Sequence, residues 1–272
     1  MCPEKSEVQV ISDQVHKLVV GKTLIDVKHD TNSRYSKSGI PGFQHLKFPY
    51  ICIDVKSKGK KIIFTLEDLD KVQVFLLSFL GLEGKWLTTP GKHSNLWLEF
   101  EDFKLYFHDS RHFGLFTVYP DKISLDSFIK RTTGPDLLND DITLEEWTKK
   151  IKNPRIKNKH ICLFLLDQKQ FSGIGAYLRA EILYACKIKP TRPLCELTNE
   201  EIEMLLKVSK EKIRESYEAN GLTIRTYLAP DGSKGEFKQI IYGKQKDPYG
   251  NNIIKEKDKT GRMNHWVPEV QK

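Results

Sequence analysis

The sequence has few cysteines and no long hydrophobic run. Its 272 residues include five cysteines, an odd number, and no two of them are spaced as Cys-x-x-Cys. This pattern argues against a disulfide framework and against a thiolate zinc site. No apolar stretch approaches the ~20 residues that a membrane-spanning helix needs, and no basic-then-apolar signal segment begins the chain. We therefore expect a soluble, intracellular protein that uses no membrane, no metal and no cofactor.

Acidic residues are outnumbered by basic ones. Asp and Glu total 36 and Lys and Arg total 44, which gives a net charge of +8. An excess of basic residues favours a polyanionic partner, although many basic proteins bind none. Hydrophobic residues make up 39% of the chain, as in globular proteins. The length allows one large domain or two ordinary domains with cores of their own.

The first 120 residues predict a helix and then a β-rich domain. Apolar residues recur every three or four positions over 6–19, and Ser6 and Gln9 fit a capping box at the start of this helix. Short β-rich runs separated by turn-forming residues then indicate an antiparallel sandwich or barrel. These runs are Tyr50–Val55, Lys61–Leu66, Val72–Phe79, Leu96–Phe100, Lys104–His108 and Leu115–Tyr119.

The remaining residues predict a helical domain and a terminal hairpin. Helices are expected at 143–150, 157–168, 175–186 and 198–217, and the first and last begin with the capping-box patterns Thr143…Glu146 and Thr198…Glu201. The basic end of the chain predicts a β-hairpin with its turn near 257–261. The predicted fold is therefore α+β. Its parts are a β-sandwich domain with a leading helix (1–120), a linker (121–142), a helical domain (143–238) and a hairpin (239–272).

Two of the predicted helices flank a glycine turn, Gly173-Ile174-Gly175. A pair of glycines lets the backbone turn sharply and approach another molecule closely. The amides that begin the second helix, from Gly175 onward, form an anion site, for which a nucleic-acid phosphate is the obvious occupant. Such a turn alone is more often a packing device, so the rest of the chain decides its function.

Leu165–Gln168, Gly173–Gly175 and Glu181–Tyr184 together read LLDQ…GIG…EILY. This pattern resembles the helix-two-turn-helix of the formamidopyrimidine-DNA glycosylase and endonuclease VIII family, written there roughly as LLDQ…GIGN…EILY. Ala176 stands where the family has asparagine.

The start of the chain resembles the N-terminus of the same family. Pro3-Glu4 and Glu7-Val8 match the family's PEGPEV, and Lys5-Ser6 replace its Gly-Pro. The resemblance implies that the proline attacks the sugar C1′ and that Glu4 is the general acid and base. An N-terminal α-amine suits such Schiff-base chemistry because its pKa is near 8, well below that of lysine.

Cys2 separates the initiator methionine from Pro3. A proline within a chain is a tertiary amide without a basic nitrogen, so Pro3 can be the nucleophile only if Met1 and Cys2 are both removed. If Met1 alone is removed, the available α-amine is that of Cys2. A misread start, or a family member without catalytic activity, is the third alternative.

Two further segments resemble family loops that reach DNA. Lys58–Lys61 precedes an apolar strand, as the family's Gly-Lys pair does. By resemblance, Lys60 holds a phosphate near the lesion and donates a proton during elimination. Ser78–Gly84 resembles the family's HLGMSG loop, in which Leu82 would fill the hole left by an extruded base. A lysine-rich turn is more often only a solvated surface.

Asp109–Gly114, with the sequence DSRHFG, resembles the family's DPRRFG. Arg111 and Phe113 match the pair that replaces the flipped base and wedges the opposite strand. His112 stands where a second arginine contacts backbone phosphate. An Arg-x-Phe turn is more often a simple packing pair.

The C-terminal hairpin resembles the family's zinc finger in spacing, but all four cysteines are missing. Tyr249, Asn252, Val267 and Val270, or their neighbours, occupy their places. Without thiolates no tetrahedral zinc site is expected, as in the zincless fingers of eukaryotic and viral endonuclease VIII-like proteins. Arg262 matches the arginine that grips phosphates and assists δ-elimination, a task that suits a guanidinium fork.

The resemblance implies a two-domain protein with a DNA cleft, which excises oxidised bases and nicks the strand by β,δ-elimination. Arg34–Ser38 resembles the endonuclease VIII-like branch and favours oxidised pyrimidines. Gly221–Phe237 resembles instead the segment that caps 8-oxoguanine, which favours oxidised purines. We expect pyrimidines.

Two other classes of function remain open. One is a catalytically silent DNA-binding member, which Cys2 and Ala176 favour, and the other is an RNA-binding protein that uses the same helix hairpin. Glu4, Lys60 and Arg262 favour the enzyme, because a binding protein needs no acid at position 4. We expect a monomer that acts on damaged double-stranded DNA, with single-stranded DNA left open. We expect it in the nucleus or another DNA-containing compartment, a virus factory if the protein is viral.

Overall fold

The computed structural model describes residues 2–222, 230, 232 and 234–272, and the chain divides into two compact units. The first unit comprises Met1–Thr132 and Asn220–Glu236, and the second comprises Thr133–Ala219 and Phe237–Lys272. The predicted linker at 121–142 lies across this division, since its first half forms a helix of the first unit. Of the helices described, none is long and apolar enough to cross a membrane.

The described residues form seven α-helices and ten strands, together with short 3-10 turns. The helices are α1 (Lys5–Val19), α2 (Tyr35–Ser38), α3 (Lys122–Thr132), α4 (Leu144–Ile151), α5 (Ile161–Leu165), α6 (Ala176–Ala185) and α7 (Asn199–Glu218). The strands are β1 (Thr23–His29), β2 (Tyr50–Lys58), β3 (Lys61–Glu67), β4 (Gln73–Phe79), β5 (Lys85–Leu87), β6 (Ser94–Phe100), β7 (Lys104–His108), β8 (Leu115–Tyr119), β9 (Ile254–Lys257) and β10 (Met263–Trp266).

The first unit is built on one antiparallel sheet of eight strands in the order β5-β7-β6-β1-β2-β3-β4-β8. The sheet folds over on itself, because Trp86 of edge strand β5 reaches strands far from it in this order. The Trp86 ring lies 5.5 Å from the Phe64 ring of β3 and 6.1 Å from the Phe116 ring of β8, and its indole N–H donates to Ser78 Oγ of β4. The predicted β-sandwich and the α+β class are therefore confirmed.

Helix α1 begins two residues earlier than its predicted capping box. Glu4 is the N-cap and Glu7 the third helical residue, and each side chain accepts from the other's backbone amide. The box predicted at Ser6 and Gln9 is wrong, because Ser6 is fully buried within the first turn. The apolar stripe that begins at Val8 packs into the same core as the sheet.

Other elements also differ from the prediction, which lacks the four-residue helix α2. Strand β1 was not predicted, because a bulge and the charged residues within it break the alternation of apolar side chains. Strand β5 has three residues, too few for a pattern. The helix predicted at 157–168 begins only at Ile161, because the backbone carbonyls of Lys157 and Lys159 accept from the amides of Cys195 and Leu194.

The second unit packs around Trp147 of α4. Its indole N–H donates to the Ile202 carbonyl of α7 at 3.0 Å, and its ring lies 4.4 Å from the Phe171 ring. Both predicted capping boxes, at α4 and α7, are present. The hairpin β9–β10 turns where predicted. Helix α6 supports it through a separate apolar cluster that contains Ala180, Tyr184, Ile241, Ile253 and Val267.

Candidate active site and nucleic-acid interface

The N-terminal residues lie against a loop of the first unit. The Cys2 thiol donates to the Gly81 carbonyl at 2.9 Å, while Pro3 and Glu4 are buried at the start of α1. Burial raises the pKa of this thiol; the charge of Lys60 lowers that pKa and the charge of Glu4 raises it. The structure therefore brings Cys2, Glu4 and Lys60 close enough to interact electrostatically.

A buried carboxylate fixes the start of α1. Glu7 is fully buried and accepts from the Glu4 amide at 2.7 Å and from the Leu222 amide at 2.8 Å. Gly221 has a positive φ of 85°, and a Cβ at this position would lie 2.9 Å from Glu7 Oε1. The position of Glu4 thus depends on a chain segment more than 200 residues away.

Lys5 replaces a family glycine and is fully buried. Its ammonium donates to Gln9 Oε1 at 2.9 Å and to Ser57 Oγ at 2.6 Å. Ser57 lies on β2, three residues before Lys60, which is half-buried in the two-residue turn between β2 and β3. Lys5 therefore ties the start of α1 to the strand that leads to Lys60.

The loop that carries Leu82 is packed against the DSRHFG turn. A Cβ on Gly81 would lie 2.6 Å from the Phe113 carbonyl carbon, so glycine is needed for this approach. Ser110 Oγ donates to Glu83 Oε2 at 2.6 Å. Leu82 itself is half-buried. These contacts place the predicted base-replacing and strand-wedging loops side by side.

The DSRHFG turn is built on Asp109, which is 2% exposed. Its carboxylate accepts from the amides of Arg111 at 3.1 Å and Gly114 at 2.5 Å. Phe113 is 51% exposed, and the Arg111 guanidinium lies 5.1 Å from the centre of its ring. His112 is exposed and has a left-handed φ of 56°. The turn presents an arginine and an aromatic ring at the surface.

In the second unit, Gln168 holds the glycine turn in place. Its side-chain amide donates to the Ile174 carbonyl at 2.9 Å, and its oxygen accepts from the Gly173 amide at 3.0 Å. Gly175 is the N-cap of α6, and half-buried Ala176 is the first helical residue. Helix α6 therefore begins directly after the glycine turn, as the sequence predicts.

The turn of the terminal hairpin is built on Asp258, which forms an ion pair with Arg179 of α6 in the protein interior. The two side chains are 0% and 1% exposed and lie 2.9 Å apart. Asp258 also accepts from the amides of Thr260 at 2.8 Å and Arg262 at 3.1 Å. The Arg179 guanidinium donates to the Met263 carbonyl at 2.7 Å. Arg262 is exposed at the tip of this turn.

Two more carboxylates organise the region that resembles a zinc finger. Glu181 accepts from the three consecutive amides of residues 240–242. Asp247 accepts from the amides of Tyr249 and Asn251 and from the Tyr184 hydroxyl. Within the part of the chain that is described, no group of three or more His, Cys, Asp or Glu side chains could hold a metal. Carboxylate–amide bonds thus hold the loops where the family pattern has cysteines.

Several of these residues were not predicted from the sequence. Asp109 and Asp258 could have been found, since each begins a short segment with glycine three to five residues later, which is typical of an Asx turn. Glu7, Gln168 and Arg179 act through partners that are distant in the sequence or on the backbone. No local spacing indicates such contacts.

Comparison with known proteins adds independent findings. Family models of the formamidopyrimidine-DNA glycosylase match residues 2–116 (N-terminal domain), 133–227 (H2TH domain) and 231–272 (C-terminal domain). The formamidopyrimidine-DNA glycosylase of Lactococcus lactis is 30% identical over 99% of this chain and 99% of its own.

Solved structures of similar proteins cover the same length. The MutM (Fpg) protein of Thermus thermophilus has a TM-score of 0.87 and 27% identity, over 99% of this chain and 98% of that one. A mutant Lactococcus lactis Fpg in complex with Fapy-dG-containing DNA has a TM-score of 0.87 and 27% identity, over 99% of this chain and 100% of that one. The complex of the LlFpg protein with a THF-DNA and an inhibitor has a TM-score of 0.87 and 28% identity, over 99% of this chain and 100% of that one.

Proposed function

Because the chain belongs to the formamidopyrimidine-DNA glycosylase family, we propose that it excises oxidised bases from duplex DNA and then cuts the strand at the abasic site. The observation that carries this proposal is the cluster of Cys2, Glu4 and Lys60 beside the loops of Leu82 and Phe113. This cluster combines the α-amine end of the chain, a carboxylate and a lysine. A protein that only binds DNA would not need all three.

The proposed reaction begins at the N-terminal α-amine. This amine attacks C1′, the base leaves, and an iminium between sugar and protein remains. Glu4, which is 1% exposed, transfers protons as general acid and base. Lys60 binds a phosphate and donates a proton during elimination, and exposed Arg262 binds phosphate and assists δ-elimination. Leu82, Arg111 and Phe113 fill the space of the extruded base, while His112 and Gly175 contact phosphates.

The relatives also bear on which oxidised bases this chain removes. Solved relatives bind DNA with Fapy-dG, carbocyclic 8-oxo-G or THF, and the family name itself refers to oxidised purines. These findings support formamidopyrimidines and 8-oxoguanine as substrates of this chain. Arg34–Ser38 supports oxidised pyrimidines, which stay a prediction. The capping segment Gly221–Phe237 falls largely on residues 223–229, 231 and 233, which lie outside the described residues.

We propose damaged duplex DNA as the main partner, bound by a monomer in a DNA-containing compartment. The complexes of similar proteins with lesion-containing DNA support the duplex. Single-stranded DNA is a second candidate, which is tested by comparing the affinity of the protein for a lesion-containing single strand with its affinity for the duplex.

The experiment compares base release and strand nicking under single-turnover conditions. Duplexes carry one formamidopyrimidine, one 8-oxoguanine or one oxidised pyrimidine. Glu4→Gln should keep DNA binding and lose at least 100-fold in base release, since general acid–base catalysis contributes typically 10²–10⁴-fold. Glu203→Gln, on an exposed part of α7, is the matched control and should react like the wild type. Tight lesion binding by the wild type without base release or nicking would overturn the enzyme and support the silent binder.

A further inference from the structure

Cys2 gives this chain a chemical group that a terminal proline lacks. When Met1 is removed by hydrolysis, Cys2 carries the α-amine and the thiol on adjacent carbons. Such a 1,2-aminothiol reacts with an aldehyde in two steps, first through nitrogen and then through sulfur, because ring closure gives an unstrained five-membered thiazolidine. The ring-opened form of an abasic sugar is an aldehyde at C1′.

The structure places this thiol within the proposed catalytic cluster. Cys2 is half-buried, and its Sγ lies 2.9 Å from the Gly81 carbonyl oxygen. Burial raises the pKa of the thiol, and Glu4 lies near enough for its charge to affect that pKa. Glu4 is thus available to receive the thiol proton when sulfur attacks.

We propose that, in the chain that begins at Cys2, the thiol captures the Schiff base at an abasic site as a thiazolidine and leaves a lasting protein–DNA link in place of a cut strand. The inference rests on the proposed function in one respect, which is that the same cluster binds the abasic sugar.

The reaction balances without an oxidant or reductant. The Cys2 amine adds to the C1′ aldehyde and water leaves, which forms the C1′=N bond. The thiol sulfur then adds to C1′, an S–C1′ bond forms, the C=N π pair moves to nitrogen, and the thiol proton reaches that nitrogen through Glu4. Ring closure removes the iminium that acidifies the C2′ proton, so β-elimination stops.

The N-terminal residue therefore selects the product. A chain that begins at Pro3 has an amine but no thiol on the same residue, and its iminium proceeds to elimination. A chain that begins at Cys2 closes the ring and stays attached.

The test uses full-length chain prepared with Cys2 first and verified by mass. Duplex DNA with one preformed abasic site is the probe, and cross-links are scored on denaturing gels without borohydride. The Cys2-first chain should give a heat-stable cross-link. Cys2→Ser keeps the α-amine and should give at least ten-fold less cross-link, restored by borohydride. Cys195→Ser changes an exposed cysteine of the second unit and is the matched control, with full cross-linking expected.

Three results would overturn the inference. The first is an equal borohydride-free cross-link from Cys2→Ser. The second is rapid nicking without cross-link by the Cys2-first chain. The third is no adduct from either chain even with borohydride. Because the abasic site is preformed, base excision is measured separately: a chain that cross-links but releases no base would refute only the proposed glycosylase.

Discussion

Each unit has one turn in which a buried aspartate accepts hydrogen bonds from backbone amides and an arginine is exposed. The two turns differ in the side chain that holds them in place. Asp109 accepts from amides two and five residues later, and Asp258 accepts from amides two and four residues later. The Asp109 turn is braced by exposed Arg34, which donates to backbone carbonyls at 3.3 and 3.4 Å. The Asp258 turn depends on an ion pair with buried Arg179.

This difference predicts unequal sensitivity to mutation. Removing one partner of a buried ion pair leaves an uncompensated charge in the interior, whereas an exposed side chain that is lost is replaced by water. The hairpin turn, where the family pattern has a zinc site, should therefore tolerate fewer changes than the DSRHFG turn.

Arg179→Met should produce the largest loss of stability. We expect the free energy of unfolding to fall by about 3–5 kcal/mol, because Asp258 would remain buried without its cation. Arg34→Met is the matched control in the other turn and should cost less than about 1 kcal/mol. Urea unfolding measures both. A loss below about 1 kcal/mol for Arg179→Met would show that the hairpin turn does not depend on the ion pair. One tightly bound zinc per chain, found by elemental analysis, would show the same.

Acid should weaken the hairpin before the rest of the second unit. Burial lowers the pKa of His265 to about 4, so the folded state keeps this ring neutral while the unfolded chain protonates it near 6.5. The unfolded state then binds more protons between these values, and stability must fall as pH drops from 6.5 to 4. At about 1.4 kcal/mol per pKa unit, the loss is up to about 3 kcal/mol.

Asp258 extends this acid sensitivity to lower pH. Burial alone would raise its pKa, but hydrogen bonds from Thr260 and Arg179 outweigh burial and hold the pKa below the usual range. Its stabilisation is present above about pH 4 and is lost below it. Thermal unfolding of the wild type and His265→Gln at pH 7, 5 and 4 checks the His265 step, and the same measurement at pH 3 checks the Asp258 step. An unchanged pH slope in the variant would show that His265 is not responsible.

The exposed arginines of the two turns, Arg262 and Arg111, should affect DNA binding differently. Arg262→Ala should weaken binding to all sequences and lower the slope of log K against log salt by about 0.9, which corresponds to one phosphate contact. We expect the same loss of affinity and of salt slope for Lys60→Ala. Arg111→Ala should instead reduce the preference for lesion over undamaged duplex by about ten-fold, since its guanidinium packs on Phe113. Equal changes of the salt slope in both arginine variants would contradict these roles.

The glycine turn of the second unit offers the smallest effect. It is held by the neutral side chain of Gln168 and is followed by Ala176 at the start of α6. Ala176→Asn would supply a side-chain donor toward phosphate, and the net gain from one added hydrogen bond is about 1 kcal/mol, or about five-fold. We expect a several-fold gain in single-turnover excision. No gain in a folded variant would mean that DNA does not lie along this turn.

The sequence was most informative where function depends on short motifs. Arg111, Phe113 and Arg262 were predicted on turns, and the structure has them exposed on turns. The buried side chains that hold these segments in place could not be predicted, because Arg179 lies 79 residues from its partner Asp258, and Glu7 lies 215 residues from its partner Leu222. Local periodicity carries no information about such pairs. Strand β5 was missed because its three residues are too few for a pattern, and the contacts that place its Trp86 are to distant strands.

The proposed mechanism is tested most directly by identifying the residue that forms the covalent bond to DNA. Borohydride reduction in the presence of abasic DNA, followed by proteolysis and mass spectrometry, locates the adduct in the chain. If an N-terminal α-amine is the nucleophile, the adduct maps to the N-terminal peptide, at Pro3 or Cys2 according to the mature N-terminus. An adduct on an internal lysine, or none with DNA bound, would contradict this mechanism.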